Sequence, residues 1–313
     1  MSDKKFVILS DSSLDLTKKD REKYDIEFPL LGTVVYPDGS VKDADVDWVN
    51  IKPEEFYRLL SNKKNTFKTS FPNPYIVTLA VEKYFQQGLD VLAVTLSGGM
   101  SGAYHAFVTA AEELKEKYPH RKLLVVDSQR YSIAVGLLAV YASQLRAEGK
   151  SVDETYQWLQ KEKMGLHQMG ILDDLFFLYR SGRIKKIAAV AGSMIGIKPM
   201  ADFSNETGRP CVLGKGRGYQ KSYKLIEQYV EATIGDSKGK IFAIVNSNRP
   251  EQAKKIKKII EDKYHPAIIL TNNMGEICSV NAGPGLAAVF YLGKPISKDC
   301  VEEQKLFQEL LTK

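Results

Sequence analysis

VLAVTL–SGGMSG–AYHAFVTAAEELKEK, residues 91–117, is the stretch that decides the fold. Its first part is short, apolar and rich in β-formers, which predicts a buried strand. A Gly/Ser loop follows, and the remainder predicts a helix over Ala103–Lys117. The same order of strand, polar loop and helix recurs at Phe6–Lys23 and at Leu123–Glu148. Repetition of this unit predicts a mostly parallel, Rossmann-like sheet flanked by helices.

The second half of the chain has a different pattern. Ile184–Gly196 is unusually apolar and small, which predicts a closely packed helix, and Lys198–Tyr219 predicts short strands and turns. Further on, a strand is predicted at Ile241–Val245 and a helix at Pro250–Lys263. With 313 residues, we expect two α/β domains, at 1–160 and 161–313, with strand exchange between them allowed.

Composition limits the classes of partner. The net charge is +6, from 44 Lys+Arg against 38 Asp+Glu, and basic runs such as Lys254–Lys258 are typical of solvated helix faces. No nucleic-acid site is predicted, because such sites concentrate positive charge with stacking aromatics. A basic face would still attract an acidic protein or, transiently, an anionic membrane surface.

Cysteine and histidine spacing supports neither a disulfide framework nor a metal site. The three cysteines (Cys211, Cys278 and Cys300) are scattered and odd in number, which favours a reducing cytoplasm. The four histidines have no HxH or HExxH spacing. No run is apolar enough to predict a signal peptide or a membrane span. We therefore predict a cytoplasmic protein without a metal.

Three loops are candidates for ligand contact. Ser97–Gly102 lets the backbone approach a ligand closely and precedes a helix N-terminus, which suits an anion, although an ordinary βα turn fits equally well. Lys68–Pro74 contains Thr69 and Ser70, either of which is expected to cap the next helix. Asn281–Gly285 is a Gly/Pro turn in which Asn281 can donate to or accept from a ligand.

Acidic residues near these loops have less specific meanings. Asp173-Asp174-Leu175 and Arg180–Ile184 predict an ion-pair network between the acids and the arginines, rather than an acid–base pair. Asp11 and Asp127 are predicted to be helix caps or loop braces. Ser97–Gly102 only approximates a nucleophile elbow, and no triad histidine is evident.

Six segments in order along nearly the whole chain resemble the DegV family. They are Ile8–Leu16, Thr69–Pro72, Leu96–Tyr104, Val126–Ser128, Asp173–Leu175 through Gly182–Ile184 with Ile197–Pro199, and Ala282–Gly285. The chain departs from the family pattern at four positions. Gly98 stands where the family has the second serine of S-S-G, and Phe71 stands where it has a glutamine. Asn281 and Ala282 replace the histidine and threonine of H-T-G-P-G.

The resemblance implies two α/β domains with a fatty acid, such as palmitate, stearate or oleate, in an apolar tunnel between them, and no cofactor. Thr69 and Ser97 would be the leading carboxyl ligands, with Ser70, Ser101 and Asn281 as lesser candidates. Arg183 and Arg180 would support the cleft or meet the partner, and the glycines of the loops (Gly98, Gly99 and Gly283) would shape it.

By the same resemblance, the partner would be an ATP-binding subunit of fatty-acid kinase, which phosphorylates the bound fatty acid, and this chain would have no catalytic residue. Two other hypotheses remain. One is a hydrolase or phosphotransferase in which Ser97 or Ser101 works with Asp11 or Asp127. The other is an interaction module whose cleft is filled or collapsed.

Overall fold

A computed structural model describes residues 6–30, 32–173, 175–185 and 196–312. The strands found there are β1 (Phe6–Asp11), β2 (Ile26–Leu30), β3 (Thr33–Val35), β4 (Val41–Asp43), β5 (Lys68–Ser70), β6 (Asp90–Thr95), β7 (Leu123–Asp127), β8 (Leu166–Ile171), β9 (Ile197–Phe203), β10 (Pro210–Arg217), β11 (Phe242–Ser247), β12 (Ile269–Asn273) and β13 (Leu286–Leu292).

The helices of the same residues are α1 (Lys18–Lys23), α2 (Pro53–Ser61), α3 (Pro74–Phe85), α4 (Ala103–Lys117), α5 (Ile133–Ala147), α6 (Val152–Glu162), α7 (Phe176–Arg180), α8 (Gly218–Thr233), α9 (Pro250–Tyr264), α10 (Glu276–Ala282) and α11 (Val301–Thr312), with 3-10 turns at Lys163–Gly165 and Lys298–Cys300. Within the described ranges, no helix is long and apolar enough to cross a membrane.

The first sheet is four-stranded and fully parallel, in the order β2-β1-β6-β7. Side chains along β1 alternate between two apolar clusters: Phe6 and Ile8 pack with helix α5, and Val7 and Leu9 pack with helices α3 and α4. This alternation is expected of a strand buried on both faces. The predicted parallel sheet with helices on both faces is therefore confirmed.

The second sheet is mixed and four-stranded, in the order β12-β11-β13-β8. Strands β11 and β12 are parallel, whereas β13 is antiparallel to both of its neighbours. The long antiparallel hairpin β9–β10 lies beside β8, and the Leu172 N–H donates to the Pro199 carbonyl. The predicted domain boundary near residue 160 falls in α6, between the two sheets, and it stays a prediction.

A small antiparallel sheet, β4-β3-β5, packs against helix α10 from the far end of the chain. The buried carboxylate of Glu276, in the first turn of α10, accepts hydrogen bonds from the Tyr36 hydroxyl and from the Asp45 N–H at 2.9 Å. This contact places β5 next to α10.

Two sequence predictions are wrong in extent. The helix expected from Leu14 begins only at Lys18, because Thr17 caps it (Oγ1 to Asp20 N, 3.1 Å) and residues 14–16 form a buried loop. The segment Lys198–Tyr219 is not a set of short strands but one long hairpin. The helix predicted at Ile184–Gly196 falls mostly on residues 186–195, outside the described residues.

The buried loop around Asp15 joins the two sheets. The Asp15 carboxylate accepts from the Ser132 hydroxyl, just before α5, and from the Gly275 N–H (2.9 Å), just before α10. Burial, opposed by these hydrogen bonds and assisted by the charge of Asp11, raises the pKa of Asp15 to about 7 from its ordinary 3.8. Asp15 also adopts a positive φ of 45°.

Asp15→Asn is expected to flatten part of the dependence of folding stability on pH. Because the pKa of Asp15 is higher in the folded state, the native protein loses stability as pH rises from about 4 to about 7, by at most ~1.4 kcal/mol per pH unit for this group. Asparagine does not titrate: its oxygen can accept from the Gly275 N–H, and its amide nitrogen can donate to the Ser132 hydroxyl oxygen. Urea unfolding across this range checks the slope, with exposed Asp262→Asn as control; an unchanged slope in Asp15→Asn would contradict the assignment.

Candidate functional site

A cavity of about 380 Å³ lies where the carboxyl ends of β1 and β6 face β8, the β9–β10 hairpin and helix α10. In doubly wound sheets, ligands bind at this edge, and the volume is in the range of small-molecule sites. Most of the lining is apolar: Leu96, Met100, Leu172, Leu175, Leu178, Ile184, Ala201, Phe203, Val212 and Ile277.

Thr69 and Asn281 form the polar end of the cavity. The Asn281 Nδ2 group donates to the Ile277 carbonyl at 2.9 Å and to Thr69 Oγ1 at 3.3 Å. Thr69 therefore accepts from the amide, and its own hydroxyl proton is left to donate into the cavity. Such a chain of donors suits an anionic ligand, since each bond polarises the next.

Ser70 and Ser101 also line the cavity, but their hydroxyl groups differ in their hydrogen bonds. The Ser70 hydroxyl is hydrogen bonded to the Thr33 hydroxyl across the β5–β3 pair. Ser101 Oγ accepts from the Ala103 N–H at 3.3 Å, so its proton is free to donate. The expected helix cap at Thr69 or Ser70 is wrong, because both lie in β5 and Asn73 caps α3 by accepting from the Tyr75 N–H.

Ser97 lies outside the cavity lining. Its fully buried hydroxyl donates to the Gly208 carbonyl at 2.7 Å and accepts from the Gly99 N–H at 3.2 Å. Gly208 belongs to the tip of the β9–β10 hairpin, where a Cβ would come within 2.1 Å of Ser97 Oγ. Ser97 therefore fastens the hairpin to the loop after β6, and its role as a carboxyl ligand stays a prediction.

Ser97→Ala is expected to act on stability more than on ligand affinity. Loss of a buried hydrogen bond that leaves the Gly208 carbonyl unpaired should lower the free energy of unfolding by about 1–3 kcal/mol. Limited proteolysis should then cut the hairpin tip (residues 204–209) faster. If the hairpin tip of Ser97→Ala instead resists proteolysis as well as the wild type does and ligand affinity falls strongly, Ser97 contacts the ligand directly.

Most N–H groups of the loop after β6 are used within the protein. Gly98 N donates to Asp127 Oδ1 (3.2 Å), and the N–H groups of Met100 and Ser101 donate to the Ser97 carbonyl. Gly99 lines the cavity but approaches the hairpin, since a Cβ there would lie 1.8 Å from the Thr207 carbonyl oxygen. The main candidate donors for an anion are therefore side chains of the lining, namely hydroxyls, amides and arginines.

Two arginines bring positive charge to the polar end. Arg183 lines the cavity and donates to the carbonyls of Met100 and Ser181, and the Ser181 hydroxyl is 3.4 Å from the Asn281 carbonyl. Arg209 also lines the cavity and donates to Gly182 O at 3.3 Å. Burial, and next the charge of Arg209, lower the pKa of Arg183. Among the described residues, neither guanidinium pairs with a carboxylate, so an anion would be attracted here.

Arg180 and Gly283 lie away from the cavity. The Arg180 guanidinium stacks over the Phe177 ring, 4.8 Å from its centroid. Gly283 ends helix α10 with φ of 76°, and its N–H donates to the Ser279 carbonyl at 2.8 Å. A Cβ at this position would lie 2.2 Å from Phe177. Gly283 therefore shapes the turn that presents Asn281.

The predicted ion pairs with Arg180 and Arg183 are wrong for Asp173, which pairs with other cations. Asp173 accepts from Lys198 (2.7 Å), from Arg249 and from the Tyr219 hydroxyl (2.9 Å), whereas in the described part of the chain Arg180 and Arg183 form no hydrogen bond or ion pair with it. Burial opposes ionisation of Asp173, but the two cations outweigh it and keep its pKa below the ordinary value. The sequence interpretation failed because the partners come from distant segments: Lys198 from β9, Tyr219 from α8, and Arg249 from the position just before α9. Asp174 lies outside the described residues.

Asp11 and Asp127 are loop braces, as predicted. Asp11 accepts from Ser13 and from the Leu96 N–H (2.8 Å), which ties the loop after β1 to β6. Asp127 accepts from the N–H groups of Gly98 and Gln129. In the described structure, neither carboxylate is hydrogen bonded to Ser97 or Ser101, so the geometry gives no support to a serine nucleophile with an acidic base.

Among the lining residues that the sequence reasoning missed are Arg209, Tyr131 and Gln168. Arg209 reaches the cavity only because the hairpin folds back onto the loop after β6. Gln168 interrupts the apolar residues of β8, and a polar residue at an inward position of a buried strand was the available signal.

Comparison with known proteins agrees with this architecture. The model of a family described as an uncharacterised protein, DegV family, matches residues 5–294. A DegV domain-containing protein of Clostridium perfringens is 34% identical over 290 residues, which cover 93% of this chain and 98% of that protein.

Two solved structures share the fold. One is a DegV family protein of Ruminococcus gnavus refined with vaccenic acid (23% identity, TM-score 0.80, coverage 92% of this chain and 100% of that one). The other is the fatty acid kinase (Fak) B3 protein of Streptococcus pneumoniae loaded with linoleic acid (20%, 0.77, 92% and 99%). With a family match over nearly its whole length, this chain belongs to the DegV family.

Proposed function

We propose that this protein binds a long-chain fatty acid in the cavity and holds its carboxyl group at the end formed by Thr69 and Asn281. The observation that carries the proposal is the contrast within one cavity: a mostly apolar lining that also contains the Thr69 hydroxyl and two guanidinium groups without described acidic partners. The vaccenic and linoleic acids of the two structural relatives support the same ligand class.

The energetics fit this ligand. Each buried CH₂ contributes about 0.8 kcal/mol, so a long acyl chain supplies most of the affinity. A carboxylate in such a cavity needs donors, because an unpaired buried charge is costly. Thr69, Ser101 and Arg183 can supply them, which favours the ionised ligand over a neutral one of equal length.

We further propose that the protein presents the carboxyl group to an ATP-binding fatty-acid kinase subunit, where an acyl phosphate forms. The Fak B3 relative supports this partner, and palmitate, stearate and oleate are the expected ligands. On this account the chain carries the substrate and does no catalysis itself. A cytoplasmic location follows from that role, and transient contact with a membrane surface stays a prediction.

Titration of delipidated protein with stearic acid and with methyl stearate tests the binding. The acid should bind with the higher affinity, because the ester lacks the negative charge. Equal affinities of the acid and the ester would show that Thr69 and the arginines do not recognise the carboxylate.

The kinase partnership is tested by mixing the fatty-acid-loaded protein with ATP and a kinase subunit and trapping the acyl phosphate with hydroxylamine. An acyl hydroxamate should form. If none forms, the protein is a carrier only.

A further inference from the structure

Gln168 places an amide in the apolar part of the cavity. It lies on β8, its residue is 2% exposed, and it lines the cavity. Side chains alternate along a strand, so Gln168 shares its face with Leu166, which belongs to the large apolar cluster, whereas His167 and Met169 point to the other side. An apolar residue would be expected at this position.

The amide is only partly satisfied. Within the described part of the chain, Gln168 Oε1 has no hydrogen-bond partner, and a buried polar atom in that state costs about 1–3 kcal/mol. The Tyr131 hydroxyl lies next to the Gln168 amide and interacts with it. Tyr131 also lines the cavity, and its ring is held by stacking on Phe203 with centroids 5.3 Å apart.

This polar pair is separated along β8 from the turn that follows Asn281, and neither Thr69 nor Asn281 is hydrogen bonded to it among the described residues. Leu172 lies four residues after Gln168. The next residue, Asp173, donates its N–H to the Gly285 carbonyl, which belongs to the turn after Asn281. Four residues of strand span roughly 13 Å. A ligand whose carboxyl group is at Thr69 would therefore meet Gln168 along its acyl chain.

We propose that the cavity is built for a fatty acid that carries a hydroxyl group on its acyl chain, with that hydroxyl held between Gln168 and Tyr131. A hydroxyl both donates and accepts, so it can donate to Gln168 Oε1 and accept from the Tyr131 hydroxyl. A plain alkyl chain leaves the amide oxygen unpaired. This inference rests on the proposed fatty-acid binding and narrows its ligand.

The test compares stearic acid with hydroxystearic acids whose hydroxyl is placed at successive positions along the chain. Affinities are measured for the wild type, Gln168→Met, Tyr131→Phe and, as a matched control at an exposed site, Gln86→Met. In the wild type, one or two adjacent positional isomers should bind about tenfold tighter than the others. Gln168→Met should abolish that preference and bind stearic acid at least as tightly as the wild type does.

The outcomes separate the two claims. If none of the acids binds to the wild type, the fatty-acid function itself fails. If stearic acid binds but no isomer is preferred, or if Gln168→Met and Tyr131→Phe both keep the preference of the wild type, the inference is overturned, and the amide is satisfied by ordered water.

Discussion

Ala201→Phe should reduce the affinity for stearic acid by about a hundredfold or more. Ala201 lies on β9, is 3% exposed and faces the cavity together with Phe203, whereas Met200 and Asp202 point to the opposite side. A phenyl ring there occupies space that the acyl chain needs. Exclusion of only four methylenes costs about 3 kcal/mol, which is about a hundredfold in affinity.

A graded series makes this result specific. Ala201→Val and Ala201→Leu should weaken binding progressively, and shorter acids should tolerate the larger side chains better than stearic acid does. Ala147→Phe, at an exposed position near the end of α5, is the matched control. Full stearic acid affinity in a folded Ala201→Phe protein would show that the acyl chain lies elsewhere.

Thr69→Val should weaken binding of stearic acid by about ten- to a hundredfold, since a hydrogen bond to a charged group contributes about 1.5–3 kcal/mol. Valine keeps the branched shape and removes only the hydroxyl. Binding of methyl stearate should change little, because its ester lacks the charge that Thr69 stabilises. Thr271→Val, on an exposed position of β12, is the control.

Asn281 should be coupled to Thr69 in the same measurement. Its amide donates to Thr69 Oγ1, so Asn281→Ala removes the group that orients the hydroxyl. In a double-mutant cycle, the combined loss should be smaller than the sum of the single losses. Additive losses would mean that the two residues bind the ligand independently. If only Asn281→Ala weakens binding, the carboxyl group does not bind at Thr69.

The parallel sheet was predictable because its signals are local. Strand β6 and helix α4 are adjacent in sequence, and the change from a short apolar run to a Gly/Ser loop and then to a helix marks their bounds; α4 spans Ala103–Lys117 as predicted. Leu14–Leu16 was assigned wrongly because a long-range contact decides its structure: Asp15 bonds to Gly275, 260 residues away.

The site depends on such long-range contacts, and physical reasoning on the sequence did not assemble it. Thr69 and Asn281 are 212 residues apart, and only the resemblance of their segments to a family suggested that they meet. Ser97 was assigned from the order of its motif, whereas its hydroxyl is bonded to Gly208, 111 residues away. Arg209 reaches the cavity by the same folding-back of the hairpin.

Mass spectrometry of an organic-solvent extract of the purified protein tests the central claim most directly. We expect a long-chain fatty acid in an amount stoichiometric with the protein, and none in the extract of Ala201→Phe prepared in the same way. If the wild-type extract contains no fatty acid and the protein takes up none that is added, the cavity serves a different ligand.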